Sequence, residues 1–130
     1  DNYEKFSLNY IQKIISSTYT EGVPVIYYSR SKSNFDKLKN LDIDCIGISS
    51  ENNLGDMYKF FDEKFAIQGN LNTDILREDK DTIQKGVIKT LETFPFKTGH
   101  VFNLGTGITP DIHPDKVSYL VDQVRELSVK

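Results

Sequence analysis

Four short apolar runs, at residues 23–28, 44–48, 65–68 and 101–104, are each followed by a stretch whose apolar residues recur at three-and-four spacing. No other feature narrows the choice of folds so far. The helical stretches are too long to be hairpin turns, so consecutive strands must run parallel and be joined by crossovers. One more helical stretch precedes the first strand: residues 2–17 place Phe6, Tyr10, Ile11, Ile14 and Ile15 on one predicted face.

The first run, Val23-Pro-Val-Ile-Tyr-Tyr28, is β-branched and aromatic and suits a strand covered on both faces, with Pro24 tolerated near its start. Ser33-Asn-Phe-Asp36 has the form of a capping box for a short helix through Phe35, Leu38 and Leu41. Leu54, Met57, Tyr58 and Phe61 predict a second helix, and Gly69-Asn70 is expected to close the third strand. Ile83, Val87, Ile88, Leu91 and Phe94 predict a helix over residues 78–94. Val117, Leu120, Val121, Val124 and Leu127 predict the last one, opening at Pro114, where the missing N–H costs the helix nothing. The predicted fold is α/β, one α element and then four parallel βα units, with residues 1–130 forming a single segment. Two architectures share that order: an open doubly wound sheet, and part of a (β/α)8 TIM barrel entered partway.

A chain of 130 residues with 38% hydrophobic and 27% charged residues has the composition of a globular domain and contains no apolar run of bilayer length. Its net charge of −3 gives no general nucleic-acid surface, so neither nucleic acid nor membrane is an expected partner. The single cysteine, Cys45, cannot form an internal disulfide, which suits a cytoplasmic protein. His100 and His113 lie far apart in sequence with only Cys45 to help, so no metal site is expected. His113 reads as a helix-end residue and His100 as a loop residue at the start of a strand. Tyr27, Tyr28, Phe60, Phe61, Phe65 and Phe102 read as core.

In either architecture ligands gather at the carboxyl ends of the strands. Polar residues fall at each such end: Ser29 and Arg30, Ser49 and Ser50, Gln68 and Asn70, Asn103 and Thr106. The last strand runs into Gly105-Thr-Gly107, a loop that leaves backbone N–H groups uncovered, although ordinary turn chemistry also ends strands in this way. The basic cluster Ser29-Arg-Ser-Lys-Ser33 can hold carboxylates or phosphate, or be a solvated loop. Gly105-Thr-Gly107 lacks the third glycine of a dinucleotide fingerprint and has no P-loop lysine, and the chain has no Gly-x-Ser-x-Gly elbow.

His100-Val-Phe-Asn-Leu-Gly-Thr-Gly-Ile-Thr-Pro-Asp111, with Pro114-Asp-Lys-Val117 behind it, resembles the closing signature of the uroporphyrinogen decarboxylases. Ala66-Ile-Gln-Gly-Asn-Leu-Asn72 resembles their Leu-Gln-Gly-Asn-Leu-Asp-Pro segment, Val23-Pro-Val-Ile-Tyr-Tyr28 their Pro-Val-Ile strand, and Cys45-Ile-Gly-Ile48 their Val-Val-Gly-Leu strand. The resemblance implies the C-terminal half of a (β/α)8 barrel and an enzyme, a carboxy-lyase without metal or organic cofactor. Such an enzyme removes the acetate carboxyl groups of uroporphyrinogen to give coproporphyrinogen on the way to haem. It implies a tetrapyrrole substrate held by Thr106, Asn103, Gly105, Gly107, Arg30, Gln68 and Asn70. Catalytic residues, among them a carboxylate for the pyrrole N–H groups and arginines for the peripheral carboxylates, are expected upstream of Asp1. A homodimer is expected of the full-length protein, and self-association with no activity of this segment alone.

Departures from the family pattern sharpen the expectations. Thr106 stands where the family has His between two glycines, Ser49-Ser50 where it has Asp-Trp, and Asn72-Thr73 where it has Asp-Pro. A hydroxyl cannot carry the positive charge of an imidazolium, so contact with a carboxylate at 106 is expected to be weaker. Two other readings share the fold: a methyltransferase related to the decarboxylases, although the zinc-binding His and Cys of the cobalamin-linked members are replaced by Tyr27, Tyr28, Ser29 and Arg30, and a non-catalytic tetrapyrrole-binding relic.

Overall fold

The computed structural model describes residues 1–18, 22–29 and 34–128. A π-helical turn, Glu4–Leu8, runs directly into α1 (Asn9–Thr18). Then follow β1 (Ile26–Tyr28), α2 (Phe35–Leu38), β2 (Cys45–Gly47), α3 (Leu54–Phe60) and β3 (Ala66–Leu71). A 3-10 turn (Thr73–Arg77), α4 (Lys80–Glu92), β4 (His100–Leu104) and α5 (Pro114–Leu127) complete the order. The four strands form one parallel sheet in the order β1-β2-β3-β4. Strands that neighbour one another in sequential order, alternating with helices, are the arrangement of a (β/α)8 half rather than of a sheet wound in two directions.

In-register residues of parallel strands share a face, and here the two faces differ in kind. Ile46 and Ile67 point into an apolar core with Leu38, Leu41, Leu54, Phe61 and Phe65 from the helical layer. A second cluster packs α4 and α5 on the β3–β4 side through Leu76, Ile83, Val87, Ile112 and Leu120. On the opposite face Ile26, Tyr28 and Val101 are exposed. Among the described residues β1 is therefore covered on one face only, against the expectation of burial on both, and it lies at the edge of the four-stranded sheet.

The N-terminal helix also departs from its predicted face. Leu8 and Ile15 are buried and Ile11 packs on the core, but Phe6, Tyr10 and Ile14 are 66%, 58% and 60% exposed. The π turn over Glu4–Leu8 is wider than an α turn, so a face drawn at 3.6 residues per turn through Phe6 slips relative to the one that meets the sheet.

Ser33 of the expected capping box lies outside the described residues. The residue that precedes α2 is Asn34, in left-handed backbone at φ 73°, a conformation asparagine tolerates. Strand β3 continues through the Gly-Asn pair that was expected to end it, and pairs with β4 as far as Leu71 and Leu104. Gly69 has φ +141°, and a Cβ there would lie 2.9 Å from the Ile48 carbonyl oxygen, so this glycine serves close strand approach rather than a turn. Helix α4 starts behind Asp79, whose carboxylate accepts from Thr82 N at 2.8 Å. Ile88 of its predicted face is exposed and Thr90 is buried instead; on α5, Val121 is exposed while Gln123 is buried and hydrogen-bonded to Gln84 at 2.5 Å.

Candidate functional site

The carboxyl ends of the strands are tied into a rim by side chains that bond backbone carbonyls. The Asn70 amide, at the end of β3, donates to the carbonyls of Ser49 at 2.9 Å and Asn52 at 2.6 Å, fixing the loop after β2. Gly105 packs onto that same loop: a Cβ at this position would lie 2.5 Å from Ser50 N. From the other edge, the Tyr28 phenol donates to the Gly105 carbonyl at 2.8 Å. Its ring reaches across Gly47, where a Cβ would come within 2.9 Å of Tyr28 Cδ2. Glycine on β2 is thus what lets a β1 side chain cross to β4.

A cleft of about 370 Å³ opens on this side, lined by Tyr28, Gln68, Asn103, Leu104, Thr106, Gly107 and Ile108. Its size is that of a small-molecule site. Thr106 hangs at its mouth, held from beneath by the buried Thr73. The Thr73 hydroxyl donates to the Thr106 carbonyl at 2.9 Å, and the two hydroxyl oxygens are also 2.9 Å apart. The segment beyond is fastened by Arg77, which donates from Nε to Asp111 at 2.7 Å and from Nη2 to Thr109 at 2.9 Å. The Arg77 guanidinium, with the Thr109 hydroxyl, holds the Asp111 carboxyl down at about 2.

Of the residues singled out in the sequence, Gln68, Asn103, Thr106 and Gly107 meet in this cleft. Gly105 supports its wall through the carbonyl that Tyr28 reaches. Asn70 turns away: its amide is engaged by the two carbonyls, and it lines a separate groove with Ser50, Asn52 and Asn72. Ser29 is buried, its N–H donating to the Gly47 carbonyl at 3.0 Å. Arg30 lies outside the described residues.

Two residues of the site are not marked as such by the sequence pattern. Tyr28, read as core from sequence, is 42% exposed and lines the cleft, because among the described residues no layer packs on this face of the sheet, where Ile26 and Val101 are exposed too. Thr73, noted only as a departure from a family motif, is the support of Thr106. A signal for Tyr28 exists: Gly47 pairs with it in register, and an aromatic beside a strand glycine has room to lie across it.

The remaining reactive side chains are quiet. Burial, and secondarily the Asp44 carboxylate, push the Cys45 thiol up to about 11, so it is not a thiolate at neutral pH. His113 caps α5, its Nδ1 accepting from Asp115 N at 3.2 Å, as its helix-end reading implied. His100 is a strand residue rather than a loop residue, with Nε2 2.8 Å from the Gly69 carbonyl oxygen.

Desolvation lowers the His100 pKa, against the smaller opposing effect of the Gly69 hydrogen bond. Its folded-state pKa is thus below the unfolded value of about 6.5. The unfolded chain then binds more protons in this range, so stability is expected to fall as pH drops below about 6.5, through the folded pKa. Thermal midpoints at pH 7.5 and pH 5 should differ by less in a His100→Gln variant than in the unmodified protein. An equal drop in both would remove His100 as the cause.

Among the described residues no group of three His, Cys, Asp or Glu side chains is placed to hold a metal ion, and no helix is long and apolar enough to cross a membrane.

The uroporphyrinogen decarboxylase (URO-D) family model matches residues 1–127. Uroporphyrinogen decarboxylase of Pseudomonas putida is 33% identical over 133 residues, covering 98% of this chain and 38% of the relative. That of Legionella pneumophila is 33% identical over 130 residues, covering 98% and 37%. The chain therefore spans less than two fifths of the curated relatives it matches. Among solved structures, a methyltransferase from Methanosarcina mazei superposes with a TM-score of 0.77 at 18% identity, covering 97% of this chain and 37% of that one, a likeness of fold. With the Gln-Gly-Asn and Asn-Leu-Gly segments brought to one rim of four parallel strands, and with a family match across nearly its whole length, this chain belongs to the uroporphyrinogen decarboxylase family.

Proposed function

We propose that these residues form the C-terminal part of a uroporphyrinogen decarboxylase, a cytoplasmic carboxy-lyase of haem biosynthesis. The observation that carries the reading is the family match over residues 1–127, joined to a rim that gathers the family-like segments around one cleft. In the reaction, proton transfer to a pyrrole carbon makes the ring an electron sink. The bond between an acetate methylene and its carboxyl carbon then breaks and CO2 leaves, giving an exocyclic methylene; a proton adds to that methylene to make the methyl group, and the ring carbon gives back the proton it took, so one proton is consumed for each CO2 released. No organic cofactor is needed, since the ring holds the electrons. The part played by this segment is to shape and orient: it supplies a wall of fixed dipoles for the tetrapyrrole, while the charged groups that drive the chemistry belong to the other part of the barrel.

The test is anaerobic incubation of the full-length protein with uroporphyrinogen. One CO2 per methyl formed, and accumulation of coproporphyrinogen, is the expected result. Methyl transfer without CO2 release would point instead to the methyltransferase reading, and tetrapyrrole binding without turnover to a non-catalytic descendant. Thr106→His in the same protein is expected to raise turnover several-fold, because an imidazole supplies the charge or the donor that threonine does not; an unchanged or lower rate counts against this.

The exposed stripe of Phe6, Tyr10 and Ile14 and the edge of β1 that pairs with no other strand among the described residues lead us to propose that a polypeptide of residues 1–130 alone self-associates and is inactive. Light scattering at rising concentration should show mass above that of the monomer. The full-length protein is proposed to be a homodimer.

A further inference from the structure

We infer that Arg77, which does not itself line the cleft beside β4, is a positioning residue for ligand binding there: it fixes the Gly107–Ile108 span that forms part of the cleft wall. This rests on the reading of the cleft as a tetrapyrrole site and assigns to that site a residue outside it.

The chain that leaves β4 is held at two places, with a span between them that has little packing of its own. At the near end the buried Thr73 hydroxyl donates to the Thr106 carbonyl at 2.9 Å. At the far end Arg77 donates to the Thr109 hydroxyl at 2.9 Å and to the two carboxylate oxygens of Asp111 at 2.7 and 3.4 Å. Between them, a Cβ at Gly107 would meet nothing within 4 Å, and Ile108 is 48% exposed. Yet both residues line the cleft, and Ile108 also lines an apolar groove along α5 with Val117, Leu120 and Val121. The place of this part of the wall is thus decided by the fixings on either side of it.

Both fixings come from one element. Thr73 and Arg77 are the first and last residues of the 3-10 turn after β3. That turn is a firm mount: Leu76 is buried, the Asn72 side-chain oxygen accepts from Asp74 N at 3.0 Å, and Lys116 of α5 donates to the Glu78 carbonyl just beyond. Arg77 also pairs with Asp74 within the turn. A lone exposed ion pair contributes little, but a guanidinium that meets one carboxylate with two nitrogens, and a second carboxylate and a hydroxyl besides, is held in one orientation. With that latch cut, the wall samples several positions, only some of which match the ligand, and apparent affinity falls by the matching fraction. Because Arg77 is not among the residues that line the cleft, the loss falls on binding rather than on the chemical step.

The test uses the full-length protein and Arg77→Met, which keeps much of the apolar stem and removes the fork. KM for uroporphyrinogen and Kd for uroporphyrin I, read by fluorescence titration, are both expected to rise about fivefold, the upper end for an exposed ion pair, with kcat changed by less than twofold. In an Ile108→Ala background the same substitution should move Kd by less than twofold, since the side chain through which it acts is gone. Asp111→Asn cuts the latch from the other side and should reproduce both results. A merely structural role would lower kcat, or give the same factor in both backgrounds, and either overturns the inference. A readout without ligand is the order parameter of the Ile108 δ-methyl group by NMR: Arg77→Met should lower it and leave the core methyls of Ile46 and Ile67 as they were. An unchanged Ile108 methyl overturns the inference even if affinity falls. If the unmodified protein neither binds uroporphyrin I nor turns over uroporphyrinogen, the decarboxylase reading fails, and the Ile108 methyl still decides whether Arg77 places the wall.

Discussion

Gly105→Ala is expected to destabilise the protein by about 2–3 kcal/mol and, on the proposed decarboxylase reading, to lower turnover of the full-length protein by about a hundredfold. The added methyl would lie 2.5 Å from Ser50 N, 2.9 Å from Ser50 Cβ and 3.0 Å from Ser50 Cα. Two of these three atoms are backbone, so no rotamer change relieves the overlap. Nor can the Ser50 loop easily withdraw, because Asn70 holds the carbonyls of Ser49 and Asn52 on either side of it. The β4 end must move instead, and it carries Thr106, the Tyr28 bond and the wall of the cleft. Urea denaturation and steady-state turnover read the two effects separately. A variant with wild-type midpoint and rate would mean that the rim is more compliant than its hydrogen bonds imply. Gly107→Ala is the internal comparison: nothing lies within 4 Å of a Cβ there, so it should be nearly silent in stability.

The second large effect is expected at Phe61, immediately after α3. Its ring is 2% exposed and packs edge-on to Phe35 at 6.0 Å and Phe60 at 5.1 Å, with Phe65 at 5.5 Å. Phe61→Ala removes both the transfer free energy of the ring and contacts that surrounding side chains recover only in part. A loss of about 3–5 kcal/mol follows. Because Phe35 belongs to α2 and Phe65 leads into β3, this one residue joins three elements, and its loss should lower the cooperativity of unfolding as well as its midpoint. Phe61→Leu fills most of the volume and should cost less than half as much. If the alanine variant loses under about 1 kcal/mol, the cluster can collapse around the gap and is not the fixed centre of this half of the core.

The parallel αβ order was legible because each strand run is bounded by a helix-period stretch, and only crossover connections fit between them. Exposure was less legible. Phe6, Tyr10 and Ile14 look like a core stripe by spacing, but the spacing cannot say which of two apolar sides meets the sheet, nor that a π turn precedes α1. Gly69-Asn70 looks like a stop signal, yet pairing with β4 carries the strand past it, since tertiary hydrogen bonds outweigh local turn preference. At the site, the polar residues of the rim could be found from where the strands end. The distinction between those facing the cleft and those bonding the frame could not: Gln68 and Asn70 are two residues apart on one strand, and the second is turned to the carbonyls of the loop after β2. Thr73 was visible only as an odd residue in a family motif, because its importance lies in contacts with Thr106, 33 positions away.

The phenol of Tyr28 joins the first strand of the sheet to the end of the last, passing over the two between them. A link of that kind acts as a chord, and a chord fixes the arc it spans. That bond helps hold the bend of these four strands from within the segment itself. A segment that carries its own radius can be exchanged between related barrels, and Tyr28→Phe should make such chimaeras assemble less readily without unfolding the strands themselves.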